Sequence, residues 1–268
     1  MVKDSALNNS TFKRFIKRSA ERFGIDVRRY HEHTCHEARM RLMLSTHRVN
    51  LVFDIGANAG QYGQFLREIG YAGRIVSFEP LPEPWKELKE RSEQDPLWEV
   101  APRTAIGDRD GETEIHVSAN SFSSSVLPML DAHLDAEPGS GYIGSVLVPI
   151  RRLDSLATEF LREDSVLFIK IDTQGFESQV LDGADGLLKR TVGLQLELSL
   201  TPLYEGQLLY TDLTLRMRML GFEAWDLAPV FLDARSGRLL QVDVTFFRKG
   251  SLSPVDQGHK PPPTVKLR

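Results

Sequence analysis

The densest chemistry in the sequence is the run DIGANAGQYG, Asp54 to Gly63. It joins an apolar stretch, Leu51-Val52-Phe53, to an amphipathic stretch that reads as a helix through about Ile69. Glycines in such a turn let the backbone approach a ligand closely, at the positive end of the following helix. Two classes of cofactor use a turn of this kind, and spacing separates them. A dinucleotide fingerprint needs G-x-G-x-x-G. Here Asn58 stands where the second glycine should be and Gln61 takes the place of the third. The other template is an acidic residue ending the strand, followed by G-x-x-x-G. Asp54-Ile-Gly56-Ala57-Asn58-Ala-Gly60 fits it. A carboxylate there holds the ammonium of a cofactor with an amino acid part and repels the pyrophosphate of NAD. Asp54, Gly56, Ala57, Asn58 and Gly60 are therefore the candidate cofactor turn.

Two more acidic residues follow at strand ends. Glu79 closes the strand Arg74 to Phe78, where a carboxylate accepts hydrogen bonds from both ribose hydroxyls of an adenosine. Asp108 follows a third strand, near Trp98 to Ala105, within expected reach of an adenine amino group.

The elements that position these groups repeat an α/β pattern. From Asn50 to Lys249 apolar strands alternate with amphipathic stretches, which predicts a parallel sheet with crossover helices. Asp110-Gly111 signals a hairpin turn into a strand at Glu114 to Val117. Strands follow at Val146 to Leu153, Val166 to Ile171 and Gly193 to Leu198, with a helix from about Phe176 to Lys189. A helix from Leu213 to Leu220 stops at Gly221, and Phe222 to Lys249 reads as closing strands turning at Ser236-Gly237. Residues 1 to 48 read as a helical segment with Phe12, Phe15 and Ile16 near one face. The Pro-rich tail, 250 to 268, has little to bury and is expected to be disordered.

At 268 residues, 41% apolar and 26% charged, the chain can bury a core without disulfides or a structural metal. Cys35 is the lone cysteine, which fits a reducing, cytoplasmic setting. The N-terminus reads as neither a secretory signal nor an anchor, and no stretch is apolar enough to span a bilayer. Eleven Lys/Arg against five Asp/Glu lie at or before Asn50, although the whole chain carries −4. That basic segment is a candidate for peripheral membrane contact.

VFDIGANAGQY, SFEP, AIGDRDG and FIKIDTQGFESQVLDGA stand in this order, and together they resemble the FkbM-type methyltransferases from about Val49 to Lys249. LELSLTPLYEGQ, Leu196 to Gln207, resembles a subgroup of them. The resemblance implies a Rossmann-like α/β fold, a seven-stranded mostly parallel sheet with one antiparallel strand and helices on both faces. It also implies S-adenosyl-L-methionine at the carboxyl ends of the strands, with Asp54, Gly56, Asn58 and Gly60 along its methionine part and Glu79 on its ribose. Known members mostly methylate hydroxyls of polyketides, glycolipids or saccharides. Many carry D-x-E-G-x-E where this chain has Asp172-Thr-Gln174-Gly-Phe-Glu177, one carboxylate fewer.

Methyl transfer to a hydroxyl requires alignment of the acceptor oxygen and removal of its proton. The catalytic candidates are Asp172 and Glu197, at the ends of the fourth and fifth strands, with Glu177 one turn into the helix between them. One of these carboxylates serves as base, or Asp172 and Glu197 hold a divalent cation such as Mg²⁺. The acceptor is expected against Ser123 and Ser124 of the loop Ser118 to Pro128, and against Gln174, Glu177 and Tyr204. It is expected to be a small molecule or glycolipid rather than nucleic acid, because DTQG stands where an N-P-P-Y-type loop would. An NAD-dependent oxidoreductase and a non-catalytic nucleotide-binding scaffold are the competing readings. Lys170, on the opposite strand face from Ile169 and Ile171, reads as a structural ion-pair partner.

Overall fold

The structure is a computed structural model and describes residues 14–27 and 30–251. Phe12 and nearly all of the expected disordered tail lie outside the described residues. The described residues form ten strands: β1 (Leu51–Ile55), β2 (Arg74–Phe78), β3 (Trp98–Val100), β4 (Ala105–Gly107), β5 (Gly111–Ser118), β6 (Tyr142–Arg152), β7 (Leu167–Ile171), β8 (Thr191–Ser199), β9 (Phe222–Asp233) and β10 (Arg238–Arg248). Seven of them form one sheet in the order β3-β2-β1-β7-β8-β10-β9. β10 alone runs opposite to the other six, antiparallel to both β8 and β9. This is the expected Rossmann-like α/β arrangement, a mostly parallel seven-stranded sheet with helices around it. The order reverses between β1 and β7, which opens the crevice where ligands bind in sheets of this kind.

Register explains which side chains reach that crevice. Phe53, Ile169, Leu194 and Phe246 lie side by side across β1, β7, β8 and β10, and Ile55, Ile171, Leu196 and Val244 form the next row. All eight belong to the largest buried cluster, so one face of the sheet is apolar throughout. The opposite face changes character along the strands. Its first row, Val52, Phe168 and Phe247, packs in a second apolar cluster with Met40, Met43 and Leu44 of the helix α1 (His36–Thr46) and Leu66 of α2 (Gln61–Glu68). Two residues further on, the row reads Ser77, Asp54, Lys170, Gln195 and Thr245. The pleat thus aims polar groups at the carboxyl end of this face only.

Three expectations are corrected. The third strand is only Trp98–Val100, because the chain then leaves the main sheet: β4, β6 and β5 form a separate three-stranded sheet, with β6 parallel to β4 and antiparallel to β5. The helix expected from Phe176 to Lys189 is two short ones, α6 (Glu177–Asp182) and α7 (Asp185–Leu188), after α3 (Pro82–Ser92), α4 (Asp131–Ala136) and α5 (Leu153–Leu156). The break falls at Gly183, where a Cβ would lie 1.8 Å from the Gly107 carbonyl oxygen, so the chain must pass β4 there without a side chain. The last helix, α8 (Tyr210–Met219), begins three residues earlier than expected. Among the described residues, no helix is long and apolar enough to cross a membrane.

Candidate active site

A cleft of about 410 Å³ opens at the carboxyl ends of β1, β2, β7 and β8, beneath the Ser-rich loop after β5. Asp54, Gly56, Ala57, Asn58, Glu79, Ser124, Asp172, Gln174 and Glu197 line it, so most of the residues singled out from sequence converge.

The turn after β1 is shaped by close approach. Gly56 has φ +77, and a Cβ there would lie 1.9 Å from the Asp172 carbonyl oxygen. The Asp172 N–H donates to Ile55 O at 3.0 Å, so the ends of β1 and β7 are held together at the bottom of the crevice. Asn58, at φ +47, donates its backbone N–H to Glu79 Oε2 at 2.8 Å, and its side-chain oxygen accepts from the Ala59 N–H. Gly60 does not line the cleft; it starts α2 at φ +91, where a Cβ would crowd Leu88 and Trp98.

Two buried carboxylates face the turn. Asp54 accepts from the Ser77 hydroxyl at 3.1 Å. Burial pushes it up to about 7, against the pull of Ser77 and Lys170. Glu79 accepts the N–H groups of Asn58 and Leu81, both at 2.8 Å. Burial pushes it up to about 7 as well, against those two hydrogen bonds. Each oxygen still has a lone pair for a ligand hydroxyl. Asp108 is not brought to the cleft. It sits where β4 has joined the smaller sheet, pairing with Arg109 at 3.0 Å, and Thr104, Ala105 and Ile106 line the wall in its stead.

The opposite wall holds a polar cluster. Lys170 Nζ lies 2.7 Å from Asp243 Oδ1 and 3.5 Å from Asp172 Oδ2. Burial disfavours its charge, but Asp243, Asp172 and Glu197 outweigh that and hold its ammonium well above the ordinary lysine range. Lys170 is thus the ion-pair partner the strand pattern suggested, and it lines the cleft as well. Gln174, at φ +53, donates Nε2 to Asp172 Oδ1 at 2.9 Å and to Glu197 Oε2 at 2.6 Å. Gln241 Nε2 reaches the same Glu197 oxygen at 2.9 Å. Burial, reinforced by Asp172, pushes Glu197 well above the usual carboxylate range, with Lys170 pulling the other way.

Three expected acceptor residues do not line the cleft. Glu177 is buried and accepts the N–H groups of Thr173 and Gly175, at 3.0 and 3.1 Å, so it shapes the 173–175 turn. Tyr204 is fully buried and donates its hydroxyl to Gln174 Oε1 at 2.8 Å, from behind. Ser123 is buried within its own loop, where Asn120 binds its hydroxyl. Ser121 instead lines the cleft and meets Asn58 Nδ2 at 3.2 Å, bridging the Ser-rich loop to the glycine turn. Sequence reasoning also missed Asp243 and Tyr62, whose hydroxyl donates to Gln195 at 2.9 Å. Period-2 alternation in β10 was the available signal for Asp243, since it stands opposite Glu197.

The residues at this wall do not fit a divalent cation. Between Asp172 and Glu197 stands an amide N–H donor rather than a third oxygen, and Lys170 already neutralises Asp172. Among the described residues no group of three or more His, Cys, Asp or Glu has the arrangement to hold a metal.

A family model described as the methyltransferase FkbM domain matches residues 54–224. The 2-O-methyltransferase NoeI of Sinorhizobium fredii (strain NBRC 101917 / NGR234) is 29% identical over 167 residues, covering 59% of this chain and 67% of that protein. Among solved structures, precorrin-6y C5,15-methyltransferase from Geobacter metallireducens GS-15 shares 15% identity, over 81% of this chain and 90% of that one, with a TM-score of 0.39. An uncharacterized protein from Listeria monocytogenes serotype 4b shares 9%, over 87% and 71%, with a TM-score of 0.45.

Proposed function

The chain belongs to the FkbM methyltransferase family, and from that premise we propose that it transfers a methyl group from S-adenosyl-L-methionine to a hydroxyl of a saccharide, glycolipid or polyketide-like acceptor. The observation that carries this reading is that one cleft is lined both by Asp54 and Glu79 and by Asp172, Gln174 and Glu197. The residues fit the cofactor. Asp54 would hold its ammonium, Glu79 its ribose hydroxyls, and Phe78, Ile106 and Ile115 offer an apolar slot for a purine. When bound, it supplies an activated methyl on a sulfonium centre. The chain's own task is to seat the acceptor oxygen against that methyl and to take its proton, for which Asp172 and Glu197 are the available carboxylates. The activity that names the Sinorhizobium relative, an O-methyl transfer, favours oxygen as the acceptor atom.

Calorimetric titration tests the cofactor: S-adenosylmethionine and S-adenosylhomocysteine should bind at micromolar concentration, NAD should not, and Mg²⁺ should make no difference. No binding of either sulfur compound would overturn the reading. Asp172→Ala should keep cofactor affinity and lower turnover, whereas Glu79→Ala should weaken affinity; equal loss of affinity in both would refute that division.

The N-terminal segment supports contact with an anionic membrane surface. Phe15 and Phe23 are 69% and 82% exposed, beside Arg14, Lys17, Arg18 and Arg22. Sedimentation with phosphatidylserine vesicles, with and without residues 1–27, is expected to show binding that needs the segment. Equal binding by both forms would sink the idea.

A further inference from the structure

We propose that Glu197 takes the acceptor's proton through its Oε1 atom, that Gln174 and Gln241 hold it for that task, and that Asp172 serves as the charge partner of Lys170. The inference rests on the methyltransferase reading above and divides the work between two carboxylates that the sequence leaves equivalent.

The division follows from which oxygens are already engaged. Both oxygens of Asp172 are faced by fixed groups: Oδ1 accepts from Gln174 Nε2, and Oδ2 is ion-paired with the Lys170 ammonium at 3.5 Å. Glu197 is arranged differently. Both amides that reach it, Gln174 at 2.6 Å and Gln241 at 2.9 Å, donate to the same oxygen, Oε2. Oε1 accepts no hydrogen bond from a described residue, yet it is not sealed in the interior, and Glu197 lines the cleft. A carboxylate clamped on one oxygen and open on the other presents a single, oriented lone-pair set to whatever occupies the cleft.

The surroundings favour this orientation of the Gln174 amide: two carboxylate oxygens on one side call for the Nε2 donor, and on the other Oε1 accepts the Tyr204 hydroxyl at 2.8 Å. Its backbone oxygen accepts from Ser125 Oγ at 2.7 Å, and Tyr204 is fully buried with a further contact to the Ser123 carbonyl at 3.3 Å. Tyr204 is therefore a positioning residue. It lies behind the cleft wall and supports the orientation in which Glu197 and Asp172 meet the Gln174 N–H groups rather than its carbonyl oxygen.

The charged groups facing Glu197 come from each packed element. Asp172 and Lys170 lie on β7 and its end, Asp243 on β10 and Glu177 on α6. Lys170 is committed to Asp243 and Asp172, so it offsets the negative charge around Glu197 without bonding to it. In the transfer, the acceptor oxygen forms its bond to the methyl carbon and the carbon–sulfur bond breaks with its electron pair going to sulfur. The O–H proton passes to Glu197 Oε1, giving a neutral carboxylic acid that later returns the proton to solvent.

The test is carbon-13 NMR of protein labelled at the glutamate side-chain carboxyl, with Glu197→Gln identifying the Glu197 signal. The expected signal titrates above the ordinary glutamate range and broadens with a soluble paramagnetic agent, because Oε1 opens on the cleft. Tyr204→Phe frees the Gln174 amide, and should raise the midpoint by about one pH unit, the size of one lost hydrogen bond to a charged group. Gln174→Leu removes the donor outright and should do the same. A Glu197 signal with an ordinary midpoint, one untouched by the paramagnetic agent, or one unmoved in both variants overturns the proposal. Calorimetry with S-adenosylhomocysteine on wild-type protein separates the two levels. Tight binding with an unmoved signal defeats this inference alone, and no binding defeats the reading beneath it.

Discussion

Replacing Asp54 by asparagine at constant shape probes the end of the cleft proposed to hold the cofactor. Asp54 is fully covered, accepts one hydroxyl hydrogen bond from Ser77, and is pushed up to about 7 by burial. It is therefore roughly nine-tenths ionised at pH 8 and roughly one-tenth at pH 6. Only the ionised form attracts an ammonium, so affinity must fall as pH drops through about 7, where a carboxylate of ordinary pKa would give no change. Asp54 alone predicts S-adenosylhomocysteine binding about tenfold weaker at pH 6 than at pH 8. Glu79, also at about 7, adds a similar factor where the ribose hydroxyls need its charge. The wild-type ratio is then between about 10 and 100. Asp54→Asn should lose one of these factors and bind about 10–100-fold more weakly at pH 8, as expected for one charge-assisted contact. Calorimetry at pH 6, 7 and 8 with both proteins measures this directly. A wild-type dissociation constant that does not change over this range, or an Asp54→Asn protein with the same pH slope, would refute the assignment of Asp54 to the ammonium.

Other outcomes follow from the same contacts. Unliganded protein should become less heat-stable from pH 5 to pH 8. Asp54, Glu79 and Glu177 are each raised to about 7 in the fold, so their stabilising share is complete below their unfolded values and lost as they ionise; a melting temperature that rises over this interval contradicts it. Gly56→Ala should cost about 3 kcal/mol or more, since its Cβ meets the Asp172 carbonyl at a positive φ. Urea unfolding with an unshifted midpoint would show that the crossing relaxes. Lys170→Met leaves Asp243 and Asp172 without their cation and should cost about 3–5 kcal/mol, read by the same method. Near-neutrality would mean these acids are protonated in the fold.

The turn after β1 was legible in the sequence because its constraints are local. Gly56 must pass Asp172, and Asp54 and Glu79 stand at the ends of successive strands, so spacing alone brings them to one place. Asp108 misled for a non-local reason: five residues after Val100 the chain is already in a second sheet, and nothing in AIGDRDG announces that β4 will pair with β6. Tyr204 and Glu177 were correctly assigned to this end of the sheet but not to their side of the wall. Both are polar residues in polar-looking segments, and only packing shows that one is spent on Gln174 and the other on the 173–175 turn. Asp243 escaped notice because β10 is distant in sequence and antiparallel, so its register against Glu197 is fixed by the sheet alone.

The change along one sheet face gives the cleft its chemistry at little cost to the fold. The rows through Phe53 and Ile55 keep one face apolar to its end, and the row through Val52 and Phe168 anchors α1 and α2 on the other. Only the last two rows of that second face turn polar. The inner row, with Asp54, Lys170 and Gln195, is nearly dry; the outer one, with Asp172, Glu197 and Asp243, borders the cleft. Lys170 sits between them and, with Gln174, is what makes a crowd of carboxylates tolerable in one place. The single ammonium is shared by Asp243 and Asp172, and the amide by Asp172 and Glu197, so the acids are held in different ways. Glu197, held at Oε2 by two amides and free of hydrogen bonds at Oε1, is the acid arranged to meet a proton from the cleft.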